Sequence, residues 1–226
     1  MKIMAPKKAV GNMKLLEYNG IKTILRRYSI MSLVQAYITQ NFILAGGDTR
    51  ATLNGGVIID NFKKIYKLND TTIVGAAGSI AGNDILFRDY IINSEATEIC
   101  KRMTYSEIEA DLLARLCFDK RITEYGINSF VCGWDGSQMV GRLFSASKES
   151  GVSSKMAIPE DNGFKIISCG LNEHLSKGEQ LFISRNCNNI LQTKNIFKDV
   201  IQEGMKFDSS INNNLIFEKI RRSDFI

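Results

Sequence analysis

The chain has 226 residues, of which 44% are hydrophobic and 23% charged, enough for one globular domain with a substantial core. No run approaches the roughly 18 consecutive apolar residues of a membrane span, and the N-terminus lacks the apolar segment of a secretory signal, which points to a cytoplasmic protein with no membrane partner. The net charge of +5 would suit a nucleic acid, but residues 1–31 hold seven basic side chains (Lys2, Lys7, Lys8, Lys14, Lys22, Arg26, Arg27) against Glu17, leaving 22 basic and 23 acidic residues in the remainder. The basicity belongs to the leader, so a nucleic-acid partner is not expected of the domain.

In chain order, residues 1–31 read as a basic leader ahead of a domain over 32–226. Three origins stay open for it. Arg26-Arg27 encoded as AGG-AGG would place a ribosome-binding site nine nucleotides upstream of the Met31 codon, making Met31 the true start. The leader could instead be a propeptide, or an extension that persists. From Ser32 to Thr39 the alternation Ser32, Val34, Ala36, Ile38 predicts a strand, turning at Gln40-Asn41 into the apolar run from Phe42. A second pair is expected between Val57–Ile59 and Lys64–Leu68, then a turn at Asn69-Asp70 and a buried strand over Thr72–Ala77. Gly46-Gly47 and Gly55-Gly56 lack a phosphate-loop pattern and read as turns.

Helical periodicity follows over Ser79 to about Ser94. The capping box Thr104-x-x-Glu107 opens a second helix with Ile108, Leu112 and Leu116 on one stripe. Strands return at Ser129–Trp134, with the tryptophan in the core, and at Met139–Phe144 and Phe164–Cys169. Helices are expected near Lys177–Asn188 and Lys194–Met205, and a last strand near Leu215–Ile220. Sheets bracketed by helix pairs give an α+β fold. The five cysteines (Cys100, Cys117, Cys132, Cys169, Cys187) show no CxxC spacing, lie mostly in apolar surroundings and read as reduced core residues rather than disulfides or a zinc site. His174, the single histidine, lies in a polar stretch, which disfavours a Ser/His/Asp triad or a histidine-rich metal site. No metal or cofactor is called for.

The chemistry-bearing residues are Ser32, Asp48, Lys64 and Gly78. A serine hydroxyl is a weak nucleophile until a neighbouring base takes its proton. If Met31 is lost, the α-amine of Ser32 can be that base, with an ordinary pKa near roughly 8 that a nearby ammonium would lower. Lys64 is the candidate for that charge and Asp48, midway between Ser32 and Lys64 in sequence, for its counter-ion. Gly78 would offer a backbone N–H to the oxyanion. Taken singly, each has a plainer account: Ser32 a strand serine, Asp48 a turn residue, Lys64 a solvated member of a basic cluster, Gly78 a helix start. Their joint spacing favours the site because it matches the pattern of a known family, through these motifs.

From Met31 to the C-terminus the chain resembles the β-type subunits of the proteasome and the peptidase subunit of the bacterial two-component ATP-dependent protease. The motifs are Ser32, Gly-Gly-Asp48-Thr-Arg-Ala-Thr, Lys64 in Lys-Lys-Ile-Tyr-Lys-Leu and Ala-Ala-Gly78-Ser, matched without a gap, then more weakly Cys132-Gly-Trp-Asp-Gly, Cys169-Gly-Leu and Asp208-Ser-Ser. The resemblance implies a four-layer αββα sandwich and peptide-bond hydrolysis, with Ser32, Asp48, Lys64, Gly78 and Asp208 catalytic. It implies a specificity pocket lined by Ala51, Thr52, Phe62, Ala76 and Ile80. It further implies a homo-oligomeric ring, unfolded polypeptide as substrate and an ATP-dependent unfoldase as partner. The chain departs from the family pattern in three places: serine stands for the usual threonine, Leu171 for the serine of Gly-Ser-Gly, and Ile211 for the serine three residues after Asp208. Ser209 and Ser210 are the nearby hydroxyls. Two alternatives stay open, a catalytically silent shell subunit and a small-molecule amidase on the same fold.

Overall fold

The computed structural model describes residues 33–53, 56–91, 98–170, 172–185, 187 and 189–225. Ser32, Leu171 and the leader lie outside the described residues, and nothing is described of the side chains of Ile80 and His174.

The first hairpin has two buried faces, and its residues divide between them. Strands β1 (Val34–Thr39) and β2 (Phe42–Asp48) pair antiparallel, with Val34 opposite Gly47 and Ile38 opposite Ile43. Val34, Ala36, Ile38, Ile43 and Ala45 face one apolar layer, whereas Leu33, Tyr37, Phe42 and Leu44 face another. Strand β2 therefore opens as a continuous apolar run, Phe42–Ala45, whereas β1 takes in the buried Gln35, whose amide donates to Ser168 Oγ at 2.9 Å. Thr39 Oγ1 closes the turn by accepting the Phe42 N–H at 3.0 Å.

Short strands β3 (Ala51–Leu53) and β4 (Gly56–Ile59) form a separate ribbon. Strand β5 (Ile65–Lys67) pairs instead with β6 (Thr72–Gly78), so the expected pairing of 57–59 with 64–68 is corrected. Helices α1 (Ile80–Ile91), α2 (Tyr105–Phe118) and α3 (Lys120–Tyr125) follow. They precede strands β7 (Ile127–Trp134), β8 (Met139–Ser147), β9 (Gly151–Ala157) and β10 (Phe164–Cys169). Helices α4 (Asn172–Arg185) and α5 (Ile190–Met205) and strand β11 (Leu215–Arg221) complete the order. One antiparallel sheet runs β10-β1-β2-β11 and the other β5-β6-β7-β8-β9.

Three apolar layers separate four structural layers. Between the sheets lie Val34, Ile38, Ile73, Phe130, Cys132 and Ile167. Leu86, Ile108, Leu112, Leu116 and Phe144 fill the space between the five-stranded sheet and α1–α3. On the far side Tyr37, Leu44, Phe182, Phe197 and Val200 pack the four-stranded sheet against α4 and α5. The fold is thus an αββα sandwich. No helix among the described residues is long and apolar enough to cross a membrane.

Local chemistry sets the helix ends. Thr104 Oγ1 accepts the Glu107 N–H and the Glu107 carboxylate accepts the Thr104 N–H at 2.8 Å, the expected capping box, while Ile108, Leu112 and Leu116 are buried. Each such side chain contributes about 1.5–3 kcal/mol by leaving water. Helix α5 is capped by Asn189, whose side chain accepts the Gln192 N–H at 2.9 Å. Its stripe of Thr193, Ile196, Phe197, Val200, Ile201 and Gly204 is buried, and it begins one turn before the position expected at Lys194.

Three further expectations are corrected. Gly46 and Gly47 lie within β2 rather than in a turn: a Cβ on Gly46 would stand 2.8 Å from the Phe217 ring, and one on Gly47 2.9 Å from the Leu33 carbonyl. Glycine is required there by close packing, not by chain reversal. Trp134 is only half-buried, stacked on Phe225 with ring centres 5.6 Å apart. Four of the five cysteines are buried, but Cys117 is exposed.

Candidate functional site

At the end of β2 the chain turns a carboxylate inward. Asp48 is fully buried, and its two oxygens are used by three donors: Leu33 N–H on Oδ1 at 2.9 Å, Arg50 N–H on Oδ2 at 2.9 Å, and Lys64 Nζ on Oδ2 at 2.8 Å. Lys64, just before β5, is 2% exposed. Its carbonyl accepts the Ala76 N–H at 2.9 Å, which fixes the residue against β6. A buried ion pair survives only when both charges are matched and the remaining lone pairs satisfied, and Asp48 meets that condition with two backbone donors besides its lysine.

Burial pushes the Lys64 ammonium below lysine's ordinary 10.5, against the opposing attraction of Asp48 and the longer-range attraction of Asp208. The positive charge of Arg50 adds to the lowering. Asp208 is 7% exposed and its Oδ1 accepts the Ser210 N–H at 2.8 Å. Its charge acts on Lys64, so the two belong to one electrostatic site. Ile211 packs in the layer beneath α5, whereas Ser210 is 4% exposed and its hydroxyl makes no hydrogen bond among the described residues. Ser209 is exposed, and its carbonyl accepts from Arg50 Nη1 at 2.8 Å.

Gly78 ends β6 opposite Ile127 with φ of +87°. That conformation is open to glycine and strained for other residues. The turn after it is braced from beneath. Ser79 caps α1 through its hydroxyl, which accepts the Gly82 N–H at 3.2 Å. Asn83 Nδ2 donates to the Ala77 carbonyl at 2.7 Å and to the Ser79 carbonyl at 2.9 Å, and the buried Ser129 hydroxyl bonds Asn83 Oδ1.

Of the residues assigned to a specificity pocket, Ala51 and Thr52 are buried in the β3-β4 ribbon and Ala76 and Phe62 are half-buried. Ala76 is tied to the site through the Lys64 carbonyl, and Phe62 donates its N–H to the Thr49 carbonyl at 2.7 Å. These bonds bring Ala76 to Lys64 and Phe62 to Thr49, the residue after Asp48.

A polar network around the pair escaped the sequence reading. Arg50 Nε donates to Asp60 Oδ1 at 2.7 Å, holding the Asp60 carboxyl below its usual range. Asn212, 3% exposed, accepts the Thr49 N–H and donates to the Asp60 carbonyl and carboxylate. These are single polar residues in loops, and only their contacts in the folded chain connect them. Among the described residues no group of three or more His, Cys, Asp or Glu side chains could hold a metal ion.

A family profile described as "Proteasome subunit" matches residues 34–157, which is more than half of the chain. Proteasome subunit beta type-3 of Dictyostelium discoideum is 22% identical over 125 residues, 55% of this chain and 56% of that protein. Proteasome subunit beta type-5 of Spinacia oleracea is 24% identical over 143 residues, 58% of this chain and 52% of that protein. The chain thus spans about half the length of the curated relatives it matches. Among solved structures, eukaryotic HslV from Trypanosoma brucei superposes with a TM-score of 0.58 at 15% identity, covering 84% of this chain and 99% of that one. At that identity the likeness is one of fold.

Proposed function

The chain belongs to the proteasome subunit family, and we propose that it is a peptidase whose nucleophile is Ser32, exposed by loss of Met31 and the residues before it. The observation that carries this reading is the buried Lys64–Asp48 pair, 2.8 Å apart, whose carboxylate also accepts the N–H of Leu33, the residue bonded to Ser32. The ammonium is thereby held on the same carboxylate that binds the residue after the serine, which supports a role for it in activating the amine.

In this mechanism the Ser32 α-amine takes the proton from Oγ as Oγ attacks the scissile carbonyl. The Lys64 ammonium lowers the amine's proton affinity towards working pH, and Asp48 keeps Lys64 charged and in place. The Gly78 N–H stabilises the oxyanion. The tetrahedral intermediate collapses to an ester on Ser32 as the protonated amine passes its proton to the leaving nitrogen. Water, deprotonated by the same amine, then hydrolyses the ester. Asp208 supports the N-terminus, and Ala51, Thr52, Phe62, Ala76 and Ile80 line an apolar pocket. The working form is a cytoplasmic homo-oligomeric ring that takes unfolded polypeptide, with an ATP-dependent unfoldase as partner.

The test is intact mass and N-terminal sequencing of protein made from the native gene with only a C-terminal tag, followed by labelling with a peptidyl epoxyketone, which needs a hydroxyl and a free amine on one residue. A chain beginning at Ser32, labelled there and unlabelled after Ser32→Ala, is the expected result. A chain beginning at Met1 and inert to the reagent would overturn the reading. It would favour the second one, a catalytically silent structural subunit, which is supported by Leu171 and by the burial of Ile211 in the core, where the family pattern has serines.

A further inference from the structure

The carboxamide of Asn212 sits where three loops meet, and both its nitrogen and its oxygen are hydrogen-bonded. Oδ1 accepts the Thr49 N–H at 3.1 Å, and Nδ2 donates to the Asp60 carbonyl at 3.0 Å and to Asp60 Oδ1 at 3.2 Å. The same Asp60 Oδ1 holds Arg50 Nε at 2.7 Å, and Arg50 Nη1 reaches back to the Ser209 carbonyl at 2.8 Å. The bonds form a closed circuit from the 208–212 turn, through Asp60 and Arg50, back to that turn. Thr49 reinforces it, donating its hydroxyl to the Asp60 carbonyl at 2.6 Å and accepting the Phe62 N–H.

Each loop in the circuit carries one charge of the candidate site: 48–50 carries Asp48, 60–64 leads into Lys64, and 208–212 carries Asp208. We propose that Asn212 is a positioning residue for the peptidase reaction, fixing Asp48, Lys64 and Asp208 relative to one another through Thr49, Asp60 and Arg50. The proposal rests on the peptidase reading above, but its geometric part is separate from it. The hydrogen bonds of Asn212 among the described residues go to Thr49 and Asp60. Its amide supplies an acceptor and two donors in one plane, so it can tie a backbone N–H on one loop to a carbonyl and a carboxylate on another. A residue that merely filled this buried space would need none of those bonds.

The test compares four forms of the protein made from its native gene with a C-terminal tag: unsubstituted, Asn212→Ala, Asn212→Asp, and the exchange D60N/N212D. Two readouts are taken, the rate constant and apparent affinity of epoxyketone labelling, and amide hydrogen exchange at Leu33 and Arg50, whose N–H groups donate to Asp48. Loss of the amide in Asn212→Ala should lower the labelling rate constant tenfold or more with the affinity changed less than twofold, and should speed exchange at Leu33 and Arg50 at least tenfold. Asn212→Asp places two carboxylates together and should behave likewise, whereas D60N/N212D restores one amide facing one carboxylate and should recover most of both signals. Labelling and exchange unchanged in Asn212→Ala would overturn the proposal, as would failure of the exchange to recover either signal. If the unsubstituted protein is not labelled, the peptidase reading and the catalytic part fall together. The positioning of Asp48 is then upheld by faster exchange in Asn212→Ala and overturned by its absence.

Discussion

Leu33 and Asp48 are bonded to each other twice: the Leu33 N–H donates to Asp48 Oδ1 at 2.9 Å, and the Asp48 N–H donates to the Leu33 carbonyl at 3.2 Å. Start and end of the first hairpin are thereby locked side by side, with Lys64 on the other oxygen of the same carboxylate. Removing that carboxylate strands a buried ammonium. Asp48→Ala is expected to destabilise the fold by about 3–5 kcal/mol, the usual cost of breaking a buried pair from one side. Lys64→Met should cost less, because Asp48 keeps the Leu33 and Arg50 N–H groups. Urea denaturation of the two variants checks the order, and equal losses would contradict it.

The same pair sets a pH dependence. Burial lowers the folded-state pKa of Lys64 beneath the ordinary 10.5 of an unfolded lysine. Between those two values the unfolded chain binds more protons than the native one, so stability attributable to Lys64 rises with pH through that window and levels off above it. Below the folded-state value its contribution is constant. The buried tyrosines act oppositely at high pH, since burial raises Tyr37 to about 12. The difference in unfolding free energy between the natural protein and Lys64→Met cancels that background. It should shift in favour of the natural protein as pH is raised towards lysine's ordinary 10.5; a shift in the opposite direction would refute the assignment.

Two glycines should respond differently to an added methyl. A Cβ on Gly133 would lie 2.1 Å from the Thr71 carbonyl oxygen, so Gly133→Ala must displace backbone and should destabilise by several kcal/mol, to the point of poor soluble yield. At Gly78 there is room, the nearest atom being Asn128 N at 3.6 Å, and the cost is confined to the φ of +87°. Gly78→Ala should therefore fold with a loss of about 1–3 kcal/mol. Thermal melts of both distinguish crowding from backbone strain.

Thiol reactivity should single out Cys117. It is exposed, whereas Cys100, Cys132, Cys169 and Cys187 are buried, and burial raises each of these four thiols above its ordinary value. A disulfide reagent at neutral pH should consume one equivalent quickly and the rest only on unfolding, with the fast equivalent lost in Cys117→Ser.

Periodicity carried much of the fold. The β1-β2 hairpin, β6, β10 and β11 follow from apolar alternation and turn residues, and α2 from its capping box. Gly46-Gly47 misled because a glycine pair signals a turn locally, whereas here Phe217 and Leu33 crowd the strand from other parts of the chain. Strand β9 went unseen because it is an exposed edge with little alternation to mark it. The β3-β4 ribbon was too short for its pairing to be inferred. Asp48 and Lys64 were legible as a pair through the family resemblance of their motifs. Asn212, Asp60 and Arg50 were not, since a network of single loop residues has no period.

The two sheets differ in how far along the chain their partners lie. The five-stranded sheet is a succession of neighbours, β5 to β9, broken only by the helices between β6 and β7. In the other sheet, β1 waits for Phe164–Cys169 and β2 for Leu215–Arg221. Closing such long loops is slow, so during synthesis the meander can assemble while the hairpin bearing Asp48 still lacks both flanking strands. Leu215 pairs directly opposite Asp48. Among the described strands, the one that bears Asp48 is thus the last to gain its neighbour, so the surroundings of the ion pair close only after the meander has been made.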